Sequence, residues 1–133
     1  KMMKPEVILL VRLLVLAFMC ILFLQSGLDK VFNYRNNYDW LKVYFAKSIF
    51  NGQAKLLLPV LTVLEVAAGI ICLIAIFNAR NTANTEGLYG LFLCAVTLLS
   101  LFAGQRIAKD YAGAANIPGY FLVCILGLLT YLI

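Results

Sequence analysis

Histidine is absent from this sequence of 133 residues, and charged side chains are scarce. The first absence removes the commonest metal ligand, the usual haem ligand and the commonest general base from the chain. Charged residues make up 13% of the chain, about half of the roughly 25% that is typical of soluble globular domains. We therefore expect no metal site, and we expect a surface that faces lipid more than water.

Cysteine is present, but its spacing indicates neither a metal site nor a redox motif. The four cysteines fall one to each apolar run, without a C-x-x-C pair: Cys20, Cys72, Cys94 and Cys124. Because free cysteine behaves as a small apolar residue, we expect these side chains to pack between helices. A redox dithiol is the alternative, and it would require two cysteines from different runs to meet in space.

Motifs of known enzyme chemistry are missing as well. The sequence has no nucleophile with an adjacent base, no glycine-rich phosphate loop and no cluster of metal ligands. We therefore assign no catalytic residue and do not expect enzyme activity from this chain alone.

Hydrophobic residues make up 64% of the chain and are concentrated in four runs. A helix needs about 20 apolar residues to cross roughly 30 Å of hydrocarbon. The runs predict an all-α fold in a single domain, 1–133, with four transmembrane helices at about residues 7–28, 56–77, 87–104 and 118–133. The net charge of +5 comes mainly from basic residues between these runs, where anionic lipid attracts them. The predicted partner is therefore a lipid bilayer and not nucleic acid.

The connection after the first run mixes aromatic and basic side chains, which is the composition of a membrane interface. Leu41, Tyr44, Phe45 and Ile49 follow helical spacing. The pattern predicts an interfacial amphipathic helix in this connection, near residues 40–50, that lies on the membrane surface. A helix of this kind can also form the lip of a cavity.

A single charge, Glu65, interrupts the second run near its middle. A carboxylate at the centre of a membrane helix costs at least about 2.5 kcal/mol and needs a partner. Arg12, Ser26 and Lys30 share one side of the first helix. At 1.5 Å per residue Arg12 and Glu65 differ in depth by only ~9 Å, so we expect these two residues to form a buried charge pair. Lys30 lies nearer the surface and is the second candidate partner.

Arg12 and three short segments together resemble the DoxX family of small membrane proteins. The segments are residues 23–32 (FLQSGLDKVF), 64–69 (LEVAAG) and 78–80 (NAR). The similarity covers most of residues 7–80. The resemblance implies a four-helix membrane protein related to small subunits of quinone-linked oxidation systems. It also draws attention to Arg12, Lys30 and Glu65.

Three functions are consistent with these features. The first is a non-catalytic accessory subunit of a larger respiratory or quinone-linked complex in a bacterial inner membrane, together with other membrane subunits. The second is a quinone-binding component of an oxidoreductase, with quinone as its cofactor. The third is a small proton-coupled transporter that uses Glu65. The residues of the candidate polar site are Gln25, Asp29 and Lys30. The candidate quinone or interface contacts are Tyr34, Trp40 and Tyr44.

Overall fold

The computed structural model describes residues 5–79 and 85–132, and these residues form six helices joined by turns. The helices in chain order are α1 Pro5–Phe32, α2 Tyr34–Tyr44, α3 Ala54–Phe77, α4 Glu86–Ile107, α5 Tyr111–Ala114 and α6 Ile117–Leu129. Helix α3 packs against α1 on one side and α4 on the other, and α6 lies against α4 and α1.

Four helical segments are long and apolar enough to cross a membrane: α1, α3, α4 and the segment Tyr111–Leu129 that contains α5 and α6. The prediction of an all-helical, multi-pass membrane fold is therefore confirmed. The first segment reaches four residues beyond the predicted 7–28, and the last begins earlier than the predicted 118–133. Arg80 of the DoxX-like motif and Ile133 lie outside the described residues.

The centre of the bundle is filled by apolar and small side chains from all four segments. Fully buried members include Leu16, Met19 and Phe23 of α1, Ala68 and Cys72 of α3, Leu91 and Cys94 of α4, and Cys124 of α6. The outer faces of the same helices carry exposed leucine, valine and phenylalanine side chains. A helix that is apolar on both its inner and its outer face is expected where the surroundings are lipid.

Close contact between α1 and α3 depends on two glycines. A Cβ atom at Gly27 would lie 3.0 Å from the backbone nitrogen of Val66, and one at Gly69 would lie 3.0 Å from the backbone nitrogen of Leu24. Small residues at such positions let helices approach closely in a membrane. These two contacts define the antiparallel register of the helix pair.

This register leaves the beginning of α3 without α1 beside it. Because Gly27 lies opposite Val66, the end of α1 at Phe32 lies roughly level with Leu61. At 1.5 Å per residue, α3 continues for about 10 Å beyond that level to its start at Ala54. The chain fills part of the resulting space with α2 and the turns that follow it.

Helix α2 confirms that the connection is helical, although it begins earlier than the predicted 40–50. Residues 45–53 form turns instead of continuing the helix. Leu41 and Phe45 pack against Ala54 and Leu58 at the start of α3 in a small second apolar cluster. This packing holds α2 across the end of the bundle, beside the space that α1 leaves open.

Candidate functional site

A cavity of about 520 Å³ lies between α2, the first part of α3 and the last part of α4. Most of its walls are apolar or aromatic, with Leu57, Leu61 and Leu64 contributed by α3. Ser26 and Lys30 reach it from the end of α1, and Glu65 reaches it from α3. The cavity therefore combines an apolar enclosure with one charged, polar group.

Ser26, Lys30 and Glu65 form a hydrogen-bonded network, which we call the Glu65 centre. The Nζ atom of Lys30 lies 2.9 Å from Oε2 of Glu65 and 3.1 Å from Oε1. It also donates to Oγ of Ser26 at 2.9 Å, and the Ser26 hydroxyl donates to the Glu65 carboxylate at 2.9 Å. The Lys30 side chain is 16% exposed and that of Glu65 only 1%. Both residues line the cavity, and the carboxylate is the more enclosed of the two groups.

The expected pairing of Arg12 with Glu65 is wrong, because Lys30 occupies that position. With Gly27 held against Val66, Lys30 lies less than one helical turn from the level of Glu65. Arg12 lies about 22 Å along α1 from Gly27 at 1.5 Å per residue, far beyond the reach of its side chain. Depths counted from the connection place Arg12 too close to Glu65, because α3 begins about 10 Å beyond the level at which α1 ends.

Arg12 makes its contacts at the opposite end of the bundle, in a group we call the Arg12 clamp: Arg12, Thr130 and Tyr131. Its Nε donates to Oγ1 of Thr130 at 3.1 Å, and its Nη2 donates to the Thr130 carbonyl oxygen at 2.8 Å. The guanidinium carbon lies 3.7 Å from the centroid of the Tyr131 ring. Because Thr130 is the C-cap of α6, the arginine supplies a donor and a positive charge where a helix end lacks both.

The other predicted site residues divide into two groups. Trp40 and Tyr44 line the cavity. Gln25 and Tyr34 are exposed and do not line it. Asp29 is exposed too, and its carboxylate accepts hydrogen bonds from the side-chain amides of Asn33 and Asn37. Of these predicted residues, the structure places Lys30, Trp40 and Tyr44 at the cavity.

A row of aromatic rings forms the α2 side of the cavity. Trp40 stacks on Tyr44 with ring centroids 4.5 Å apart and an interplanar angle of 25°. Tyr44 meets the edge of Phe45 at 5.1 Å, and Phe45 meets Phe50 at 5.5 Å. Offset stacking and edge contacts are favourable ring geometries, so the four rings support one another as a wall.

Tyr44 also links this wall to the corner between α4 and α5. Its hydroxyl donates to Oδ2 of Asp110 at 2.7 Å, and Oδ1 of Asp110 accepts from the backbone nitrogen of Gly113 at 3.0 Å. Burial and this hydrogen bond raise the pKa of Tyr44, while the bond from Tyr44 lowers the pKa of Asp110. Lys109 turns the chain at this corner with a φ of 63°. The arrangement holds α2 over the cavity.

Two polar cavity residues on α4, Ser100 and Gln105, are additions that the sequence analysis did not include. Oε1 of Gln105 is buried and has no hydrogen-bond partner among the described residues. Rotation of this amide toward the cavity would offer an acceptor or a donor to a ligand. The only sequence signal was a glutamine directly after a long apolar run, which by itself fits an ordinary helix end.

The cysteines lie apart from this site, in the core of the bundle. All four are buried and free of disulfide bonds, as the packing interpretation predicted. Cys72 and Cys94 meet with their sulfur atoms 3.6 Å apart, which is the geometric condition of the dithiol alternative. The thiol of Cys124 donates to the Leu91 carbonyl at 2.9 Å. Within residues 5–79 and 85–132, no group of three or more acidic, cysteine or histidine residues has the geometry to hold a metal ion.

The fold and this site define a multi-pass helical membrane protein with an apolar cavity beside a buried ion pair. Comparisons with protein-family models, curated proteins and solved structures give no match. The resemblance to the DoxX family therefore stays a prediction made from the residues.

Proposed function

We propose that this chain is a DoxX-like subunit of a larger quinone-linked complex in a bacterial inner membrane, and that its cavity binds the quinone head group. The observation that carries the proposal is the enclosure itself. Its volume of about 520 Å³ lies within the roughly 300–1,000 Å³ that is usual for small-molecule sites. Apolar walls with a few convergent polar groups are the general composition of such sites.

The walls suit a flat, weakly polar ring. The stacked pair of Trp40 and Tyr44 offers aromatic faces, and Lys30 presents a partly exposed ammonium group to the interior. An ammonium group is a hydrogen-bond donor without acceptor capacity, so it complements a quinone carbonyl. Gln105 provides a second polar group on the α4 wall.

The position of the cavity supports a ligand dissolved in the membrane. We place α2 at the membrane interface because Trp40 and Tyr38 belong to a residue class that is enriched there. Lys42, Lys47 and Lys55 fall in the same region, where lysine side chains contact lipid head groups. The cavity then begins at the interface and extends toward the hydrocarbon, where quinones reside.

An accessory role follows from the same chemistry. Nζ of Lys30 lies within 3.1 Å of three oxygen atoms, one on Ser26 and two on Glu65, so a quinone carbonyl would replace the uncharged Ser26 acceptor and leave the ion pair intact. Such a network can bind and orient a carbonyl, but reduction of a quinone also requires electrons from a donor. We place that donor in other membrane subunits, so this chain contributes the quinone site and no catalytic residue.

Trp40 gives a direct test, because it is the only tryptophan in the chain and it lines the cavity. Quinone added to the purified protein in mild detergent should quench its fluorescence with a saturable dependence on concentration. Quenching that rises linearly without saturation would show only partition into the detergent and would contradict the proposal.

Two variants with the same substitution locate the binding site. Leu61→Phe adds a ring to the cavity wall and should weaken saturable quenching roughly tenfold, which corresponds to about 1.4 kcal/mol. Leu99→Phe places the same ring on the outer face of α4, where the native side chain is 59% exposed, and should leave the affinity unchanged. Equal effects of the two variants would place the quinone outside the cavity.

A further inference from the structure

The cavity has a mouth on the outer surface of the bundle, bounded by residues from three helices. Trp40 of α2, Val60 of α3 and Ala103 of α4 line the cavity and are also exposed. Trp40 is 59% exposed and Val60 is 51% exposed. An exposed residue that also lines an interior space marks the place where that space reaches the surface. These three residues therefore surround the opening together with Ser100 of α4, which also lines the cavity and is exposed.

The α3 side of the opening lies on an apolar outer stripe of the bundle. Val60 belongs to the outward stripe of α3 that also contains Leu56 and Val63, which are 64% and 66% exposed. This stripe lies on a segment long and apolar enough to cross the membrane. Lys55 is the one charged residue at the start of α3, and Val60 lies about 7.5 Å deeper along the helix at 1.5 Å per residue.

Polarity changes from one side of the cavity to the other. The Glu65 centre lies on the side formed by the end of α1, and its lysine and carboxylate are largely enclosed. The mouth is bounded mainly by the apolar side chains of Val60 and Ala103 and by the indole of Trp40. The hydroxyl of Ser100, which also borders it, donates to the Val96 carbonyl within α4 at 3.0 Å. An amphiphile in this space would place its polar end at Lys30, because a hydrogen bond there offsets the free-energy cost of removing a polar group from water.

We infer that the ligand is a quinone with a long isoprenoid tail, an inference that rests on the proposed quinone site. The tail leaves the cavity sideways into the membrane between Val60 and Ala103. An octaprenyl tail is far larger than the cavity, so most of it must lie outside. The mouth is the exit that lets it stay in hydrocarbon while the head group contacts the Glu65 centre.

The test compares two probes: an octaprenyl benzoquinone and the same benzoquinone ring without a tail. Val60→Phe should narrow the mouth and weaken binding of the octaprenyl compound roughly tenfold, while affinity for the tail-less ring changes less than about twofold. Val63→Phe is the matched control, since it makes the same substitution on the same exposed stripe away from the cavity. It should leave the affinities for both probes unchanged. Trp40 fluorescence reports all of these titrations without a new tryptophan.

Ala103→Phe provides an independent variant on the other side of the mouth and should show the same selectivity for the tailed probe. Unchanged thermal melting in each variant confirms that the bundle is intact. Equal weakening of both probes by Val60→Phe and Ala103→Phe, or no weakening of either, would overturn the inference while the quinone site itself stands. Absence of saturable binding of either probe to the native protein would instead overturn the proposed function and, with it, this inference.

Discussion

The two ends of α1 each carry a cation inside the bundle, and the structure uses them differently. Lys30 meets a carboxylate, and the pair borders a cavity. Arg12 meets a hydroxyl, a carbonyl and an aromatic ring, and it closes the end of α6. The charge of Lys30 is thus neutralised by a carboxylate beside a cavity, whereas the charge of Arg12 is solvated by neutral hydrogen-bond acceptors and an aromatic ring at a closely packed helix end. Only the first arrangement leaves room for a ligand.

This difference predicts a strong dependence of stability on Lys30 and Glu65. Removal of one partner of a buried ion pair typically costs about 3–5 kcal/mol, because the other charge is left without a partner. Lys30→Met should be the more damaging change, since Glu65 is only 1% exposed and cannot reach solvent. Glu65→Leu should cost less, because Lys30 is 16% exposed and can extend outward. Thermal unfolding in detergent measures both.

The double variant Lys30→Met/Glu65→Leu should recover much of the loss, since no charge is then stranded. The control is Arg12→Leu/Glu65→Leu, whose two effects should simply add, because distant sites are independent. If stability recovered in Arg12→Leu/Glu65→Leu and not in Lys30→Met/Glu65→Leu, Arg12 and Glu65 would be in contact. The register derived from Gly27 and Gly69 would then be wrong.

The Arg12 clamp should respond in a different manner, because removal of Arg12 leaves no opposite charge without a partner. Arg12→Met removes charge-assisted hydrogen bonds worth about 1.5–3 kcal/mol together and a cation–π contact of up to about 2 kcal/mol. Arg12→Lys keeps the charge but loses the planar group that reaches Thr130 and stacks on Tyr131. We expect lysine to restore less than half of the lost stability in the same melting experiment. Full restoration would show that only the charge matters at this end.

Quinone affinity separates the two ends further. Neither Arg12 variant should alter saturable quenching of Trp40, provided that the protein remains folded. A drop in affinity caused by Arg12→Lys would mean that the clamp and the cavity are coupled, and the contrast between the two ends would not hold.

The smallest expected effect concerns the contact between Tyr44 and Asp110. Tyr44→Phe keeps the stack on Trp40 but removes the hydroxyl that donates to Asp110. The native contact lowers the pKa of Asp110, so its stabilisation is present above the ordinary aspartate pKa of about 3.9. It is lost as the pH falls through the lowered value in the folded protein.

The melting temperature of the native protein should therefore exceed that of Tyr44→Phe slightly at neutral pH, and the difference should vanish in acid. Asp110→Asn serves as the control background, because its amide does not titrate. The difference between Asp110→Asn and the double variant Asp110→Asn/Tyr44→Phe should therefore not depend on pH in this range. A constant difference between native protein and Tyr44→Phe down to pH of about 2 would show that the contact does not influence Asp110.

Several features of the site could be read from the sequence because they depend on local pattern. A lone carboxylate within 22 residues of apolar sequence (56–77) implied a buried partner, and the stripe shared by Ser26 and Lys30 implied a side that faces protein. Trp40 and Tyr44 stood out through the interfacial composition around them. The identity of the partner did not follow, because two cations on one helix face satisfy the same pattern at different depths.

The sequence by itself determined the class of the molecule: four apolar runs, few charges and an aromatic, basic connection lead to a helical membrane bundle, because lipid demands closed backbone hydrogen bonding along apolar helices. The tertiary structure alone decided which residues meet. Close packing at Gly27 and Gly69 sets the offset between α1 and α3, and that offset brings Lys30 to Glu65, sends Arg12 to Thr130 and leaves the space that α2 covers. Such an offset arises from contacts between segments that are distant in the chain, so local patterns of hydrophobicity and charge do not contain it.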